Sequence, residues 1–165
     1  MCDKGYQQET GKVLKQLEKG AFLTTSDGSK VNTMTIAWGN IGFLWGKPVF
    51  TILVRQSRYS KELLDQHGEF TVSLPYGDLK EALALCGSKS GRDLDKITAA
   101  KLTAVPGKKV AVPVIGECDR FYECKVLYKQ TMDSAALDDA EQDRWYKNGD
   151  YHTMYYGEIV ASYDK

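Results

Sequence analysis

Apolar positions along the chain follow two different periods. Between residues 8 and 20, QETGKVLKQLEKG places Val13, Leu14 and Leu17 at helical spacing and ends on Gly20, which predicts a short amphipathic helix with a glycine cap. From 21 to 54 the period changes. AFLTTSDGSKVNTMTIAWG flanks a Ser26-Asp27-Gly28-Ser29 turn with apolar and β-branched residues, the pattern of a hairpin. GNIG at 39–42 predicts another tight turn, before the run FLWGKPVFTILV. EFTVSLP at 69–75 alternates Phe70, Val72 and Leu74 with Thr71 and Ser73, a half-buried strand ended by Pro75. Helices are expected after VRQSR, over DLKEALALCG from an Asp78 cap, and over DLDKITAAKL. Further strands are expected at about 110–115, 117–131 and 153–163, and the acidic stretch 132–150 reads as a surface helix and loop.

Strands outnumber helices and rarely alternate as β-α-β. This pattern predicts a mostly β fold, an antiparallel barrel of Greek-key type with helices added at its edges. No repeat or low-complexity linker interrupts 1–165, so a single domain is expected, and 165 residues suffice for a sizeable core. Lys+Arg and Asp+Glu both number 22, so no overall field draws the chain to nucleic acid or to an anionic membrane. No apolar run is long enough for a membrane helix and MCDKGYQQ does not resemble a signal peptide. With no C-x-x-C among Cys2, Cys86, Cys118 and Cys124, reduced thiols in a cytoplasmic protein are expected. His67 and His152 lie far in sequence from the cysteines, and no metal site is expected.

Two segments carry candidate chemistry. In VRQSRYSKELLD (54–65) an apolar strand ends in two arginines and two serines at the start of a helix. Helix-terminal N–H groups, the Ser57 and Ser60 hydroxyls and the Arg55 and Arg58 guanidiniums would together suit a phosphomonoester. The competing reading is that Ser57 caps the helix and the arginines are solvated. In ALCGSKSGRDLDK (84–96), Gly87 and Gly91 allow close backbone approach, Ser88 and Ser90 offer hydroxyls, and Lys89, Arg92 and Lys96 offer charge. Its alternative is an interhelical loop whose charges pair with each other. Neither a P-loop nor a G-x-G-x-x-G strand-to-helix fingerprint is present.

Taken in order, GAFLTT (20–25), NTMTIAW (32–38), KPV (47–49), V-R-x-S-R-Y-S (54–60), F-x-V-x-L-P (70–75), C-G-x-x-S-G-R-D-x-D-K (86–96) and H-T-x-x-x-G-E-I-V (152–160) resemble the flavin reductase-like proteins with an FMN-binding split β-barrel. The resemblance implies a homodimer holding two FMN molecules at its interface. It implies phosphate-side roles for Arg55, Ser57, Arg58, Tyr59 and Ser60, joined by the loop residues Ser88, Lys89, Ser90 and Arg92. Asn32, Thr33, Met34, Thr35, Ala37 and Trp38 would border the isoalloxazine ring. His152 would stand near the flavin or the nicotinamide, where its protonated form could stabilise charge; the alternative is a histidine hydrogen-bonded at a strand start. Trp45 and Trp145 read as core or interface, the alternative being to stack on flavin or nicotinamide, and Cys86 as a buried inert thiol, the alternative being a redox role. Glu158 is expected to orient a neighbour or pair across the dimer, the bulky GFLWGKP to narrow access to the flavin, and 132–150 to form a lid.

The implied function is an FMN-dependent oxidoreductase. NAD(P)H or a reduced protein partner would pass electrons through FMN to free flavin or another acceptor. A flavoredoxin-like carrier, a non-catalytic FMN-binding module, and a split barrel binding another phosphorylated ligand are the alternatives.

Overall fold

The computed structural model describes residues 4–165, so the thiol of Cys2 lies outside the described residues. Helix α1 (Thr10–Lys19) buries Val13 and Leu17 and stops at Gly20, whose φ of 120° suits glycine alone. Strands β1 (Ala21–Ser26) and β2 (Val31–Ile36) form the expected hairpin, with Ser26 opposite Val31. Its turn is held by Asp27, whose carboxylate accepts the N–H of Ser29 at 2.8 Å and of Lys30 at 2.7 Å.

The turn expected at 39–42 is instead part of β3 (Gly39–Leu44), which pairs with β4 (Lys47–Arg55). The chain reverses at Trp45-Gly46, with φ of 52° and 72°, the two left-handed residues a tight hairpin demands. Two glycines flanking Asn40-Ile41 look like a turn, but Gly39 lies where a Cβ would fall 2.7 Å from the Thr51 carbonyl oxygen, so close strand packing explains it.

Next come α2 (Tyr59–His67), β5 (Glu69–Leu74), α3 (Lys80–Ser88), α4 (Lys96–Ala99), β6 (Ala104–Val105), β7 (Val114–Ile115), β8 (Arg120–Thr131), α5 (Asp139–Trp145) and β9 (His152–Asp164). Asp95 caps α4 as a side-chain acceptor, whereas Asp78 stands one residue ahead of the α3 cap, Leu79. The strand expected over 110–115 shrinks to β7. The rest of that connection is tied down by buried Glu123, which accepts the N–H groups of Lys108, Lys109 and Val110 and the Tyr163 hydroxyl.

Seven strands form one antiparallel sheet in the order β2-β1-β5-β8-β9-β4-β3. The connection through α2 carries the chain from β4 across to β5 beside β1, a crossing of Greek-key type. One cluster joins Leu23, Met34 and Ile36 to Phe50, Ile52, Val54, Tyr122 and Ile159, so the sheet curls around a single core. Its terminal strands β2 and β3 do not close on each other. The result is a split barrel, with a smaller cluster of Phe22, Leu83, Cys86, Ile115 and Phe121 under α3. No helix among the described residues is long and apolar enough to cross a membrane.

Candidate functional site

The split places chemistry at one corner of the barrel. Strand β2 pairs only with β1, so alternate N–H and C=O groups on its outer edge have no strand partner. Facing that edge are the end of β4 and the start of β9, where Arg55 is registered with His152. A cavity of about 380 Å³ lies between them, walled by Met34, Thr35, Ile36, Ala37 and Trp38 on one side and by Leu53, Arg55, Ser57, Arg58, Trp145 and His152 on the other.

A second cavity of about 160 Å³ adjoins it, sharing Met34, Ser57 and Arg58. This one is polar. Asn32, Tyr59 and Ser60 meet Ser88, Lys89, Ser90, Gly91, Arg92 and Lys96 there, so the two candidate segments do converge. Asn32 donates to Ser60 Oγ at 2.9 Å, and Gly91 lies so close that a Cβ would overlap the Asn32 amide. Arg58 donates to the Gly87 carbonyl at 2.7 Å, fastening α2 to the loop. Arg92 donates to the Ser57 carbonyl at 3.1 Å and pairs with Glu62.

Among the residues expected from sequence, only Thr33 lines neither cavity. The alternation of β2 turns its hydroxyl inward to Thr24 and the Leu23 carbonyl. Thr35 reaches the first cavity while donating to the Leu83 carbonyl. Lys96, noted as a charge of the loop but not among the expected cofactor ligands, is buried beneath the polar cavity and donates to the Cys86 and Lys89 carbonyls. Burial brings its pKa down to about 8, the nearby Arg58 adding to the effect. Cys86 itself is buried, and burial pushes its thiol up, as expected of an inert cysteine.

Arg55 and Ser57 have a different use from the one expected. Between β8 and β9 the chain makes a long excursion whose base is closed by the Met132 N–H donating to the His152 carbonyl. Arg55 clips the excursion down, donating to the carbonyls of Asp150 at 2.7 Å and Trp145 at 3.1 Å. Ser57 donates its N–H and hydroxyl to the Asp150 carboxylate, at 3.1 and 2.6 Å. A resident carboxylate thus accepts from Ser57, while Arg58, Lys89, Arg92 and Lys96 are the cations that line the polar cavity. Nor does Ser57 cap the helix, because Arg58 occupies the N-cap position.

The excursion brings aromatic rings over the first cavity. Trp145 meets Trp38 edge-on at 4.8 Å, and Trp38 lies 5.2 Å from His152. His152 Nδ1 stands 2.6 Å from the Tyr146 hydroxyl. Burial, reinforced by Arg55, lowers the His152 pKa to about 4, and burial raises that of Tyr146. Tyr146 therefore keeps its proton, and neutral His152 shares a hydrogen bond with it through Nδ1, the hydroxyl also lying 3.4 Å from Met132 Sδ. The protonated histidine is not the form present at neutral pH. Trp145 was read as core or interface before a place at the ring; the structure sets it at the cavity beside Trp38, a pairing no periodic pattern links in sequence.

Glu158 pairs within the chain, with Lys47 at 2.6 Å. GFLWGKP forms the β3–β4 turn and lines neither cavity, so the narrowing expected from it is not seen.

An open split barrel with an aromatic-walled cavity leading into a small cationic one defines the class of protein. The chain belongs to the flavin reductase like domain family, which matches residues 16–164. An uncharacterized protein of Archaeoglobus fulgidus is 30% identical over 139 residues, covering 84% of this chain and 68% of its own. Among solved structures, flavoredoxin of Desulfovibrio vulgaris (Miyazaki F) superimposes with a TM-score of 0.70 at 24% identity, over 88% of this chain and 69% of that one. An FMN-binding protein from Thermus thermophilus with bound 1-cyclohex-2-enone gives 0.69 at 24% identity, over 87% and 68%. At these identities the structural likeness speaks for the fold.

Proposed function

We propose that the chain binds FMN at the split and works as an FMN-dependent oxidoreductase, taking electrons from NAD(P)H or a reduced protein and passing them to free flavin or another acceptor. The observation that carries this reading is the pair of adjoining cavities: an apolar, aromatic slot against a free strand edge, continuous with a pocket of hydroxyls and cations. A tricyclic ring and a phosphate joined by a short polyol need that sequence of environments. When bound, the flavin supplies the electron chemistry.

The protein's own residues hold and surround. Met34, Leu53 and Trp38 offer apolar surface to the ring, and the β2 edge offers backbone donors to its heteroatoms. Arg58 and Lys96 supply positive charge to the phosphate, with Ser60, Ser88 and Ser90 as hydroxyl donors. Neutral His152 offers its Nε2 as a hydrogen-bonding partner. This arrangement needs no side-chain nucleophile. In this reading the chain acts as a homodimer. The exposed Phe43 and Trp45, with Tyr128 and Tyr156 gathered around Trp45 at 6.1 Å each, form the apolar patch that a second copy would cover.

Arg58→Ala tests the phosphate assignment. Charge-assisted hydrogen bonds contribute about 1.5–3 kcal/mol, so FMN affinity should fall roughly ten- to hundredfold while riboflavin affinity stays close to wild type. Equal losses for both would remove the phosphate role. The visible spectrum of FMN-loaded protein, recorded anaerobically with NADH and separately with NADPH, decides the donor. Bleaching marks a nicotinamide-linked reductase, whereas an unchanged flavin spectrum points to a protein donor. A protein that takes up no FMN refutes the cofactor assignment.

A further inference from the structure

A third cavity, of about 460 Å³, opens on the far side of the Trp38–Trp145 pair. It shares Trp38, Leu53 and Trp145 with the first cavity, and its remaining walls come from the excursion: Met132, Leu137 and Tyr146, with Glu141 and Arg144 at the rim. Arg55 and Ser57 clip the excursion in place through four hydrogen bonds to Trp145 and Asp150.

The two charged rim groups differ in what they have left to offer. Glu141 accepts the Trp145 indole N–H at 3.0 Å. The Arg144 guanidinium lies over the Trp145 ring, 4.8 Å from its centroid, and has no ion pair or hydrogen bond among the described residues. An apolar aromatic chamber with a ring-stacked guanidinium at its mouth, beside a carboxylate already engaged by an indole N–H, recognises a flat ring carrying an acceptor group that the guanidinium can bind.

We propose that this cavity binds a planar aromatic carboxylate, its ring against Trp145, Leu137 and Met132 and its carboxylate on Arg144. The inference rests on the flavin reading only for the role of such a molecule, which would sit one tryptophan away from the ring slot as the site's second ligand. Binding itself does not require flavin.

The test is isothermal titration of the purified protein with 2-naphthoate and with its uncharged amide, alongside a separate FMN titration. Saturable binding of one naphthoate per chain is expected. Leu137→Trp, which fills the chamber, should abolish binding of both aromatic ligands. Arg144→Ala should weaken naphthoate about fivefold, in keeping with a partly exposed charge pair, and leave the amide unchanged. FMN affinity should be the same in all three proteins. Absence of saturable naphthoate binding, or its survival in Leu137→Trp, overturns the proposal. Equal loss of acid and amide in Arg144→Ala overturns the charge recognition. Failure of the FMN titration alone would strike the flavin reading and leave this cavity's assignment standing.

Discussion

His152 is only 8% exposed, and its environment opposes a second proton: burial acts first, and the Arg55 and Arg58 charges act in the same sense. The unfolded chain would bind that proton below about pH 6.5 and the folded one only below about 4. Between those values the unfolded state holds more protons, so stability must fall as pH drops from 6.5 to 4, by an amount on the order of 3 kcal/mol. Asp65 does not confuse this window. Its carboxylate, held by Lys61, Lys129 and Tyr155 and brought down to about 2, weakens the fold only below the ordinary carboxylate range. Urea unfolding of wild type and His152→Gln across pH 4–7 should show the slope in the first and a much flatter profile in the second. Gly157 carries a different constraint: a Cβ there would lie 2.5 Å from the Phe70 ring and 2.9 Å from Cys124 Cβ. Gly157→Ala should destabilise by about 1–3 kcal/mol, the usual range for overpacking, read as a lower denaturation midpoint at unchanged slope.

At the scale of elements, what was legible in the sequence followed local rules. α1, the β1–β2 hairpin and β5 declared themselves through period and turn chemistry, and V-R-x-S-R-Y-S did stand at the start of α2; β5, expected to be half-buried, is buried on both faces because the 113–115 segment covers Thr71 and Ser73. What was not legible depended on partners distant in sequence. The Gly39 and Gly42 pair passed for a turn because the approach to Thr51 cannot be read from neighbours. Ser57 and Arg55 read as phosphate-side residues, and their partnership with Asp150, nearly a hundred residues on, was not visible. The clip gives the excursion a property that can be measured. Arg55→Ala removes both guanidinium hydrogen bonds, and Asp150→Ala removes the acceptor for Ser57. Either change should speed amide exchange and proteolysis within 133–150 while the barrel amides keep their protection. Equal loosening of β4 and β9 would mean that the excursion is part of the barrel's cooperative unit.

On the scale of the whole molecule, the split barrel makes a binding site out of its unfinished edge. Closing β2 onto β3 would satisfy the free backbone groups and leave no slot; stopping short exposes them at the corner where α2 and the 87–96 loop deliver their cations. Burying Lys96 under that corner has a consequence for affinity. Burial holds the Lys96 pKa down at about 8, and a bound phosphate would favour the charged form. Protonation and phosphate binding are then linked, so FMN should bind most tightly below about pH 8 and progressively more weakly as pH rises through it, by up to tenfold per unit where Lys96 is neutral. Riboflavin, which has no phosphate, should show no such decline. Lys96→Met should weaken FMN at neutral pH and remove the pH dependence. Titrations of both flavins between pH 6.5 and 9.5 provide the comparison. A decline of equal size for riboflavin would locate the titrating group at the ring and not at the phosphate.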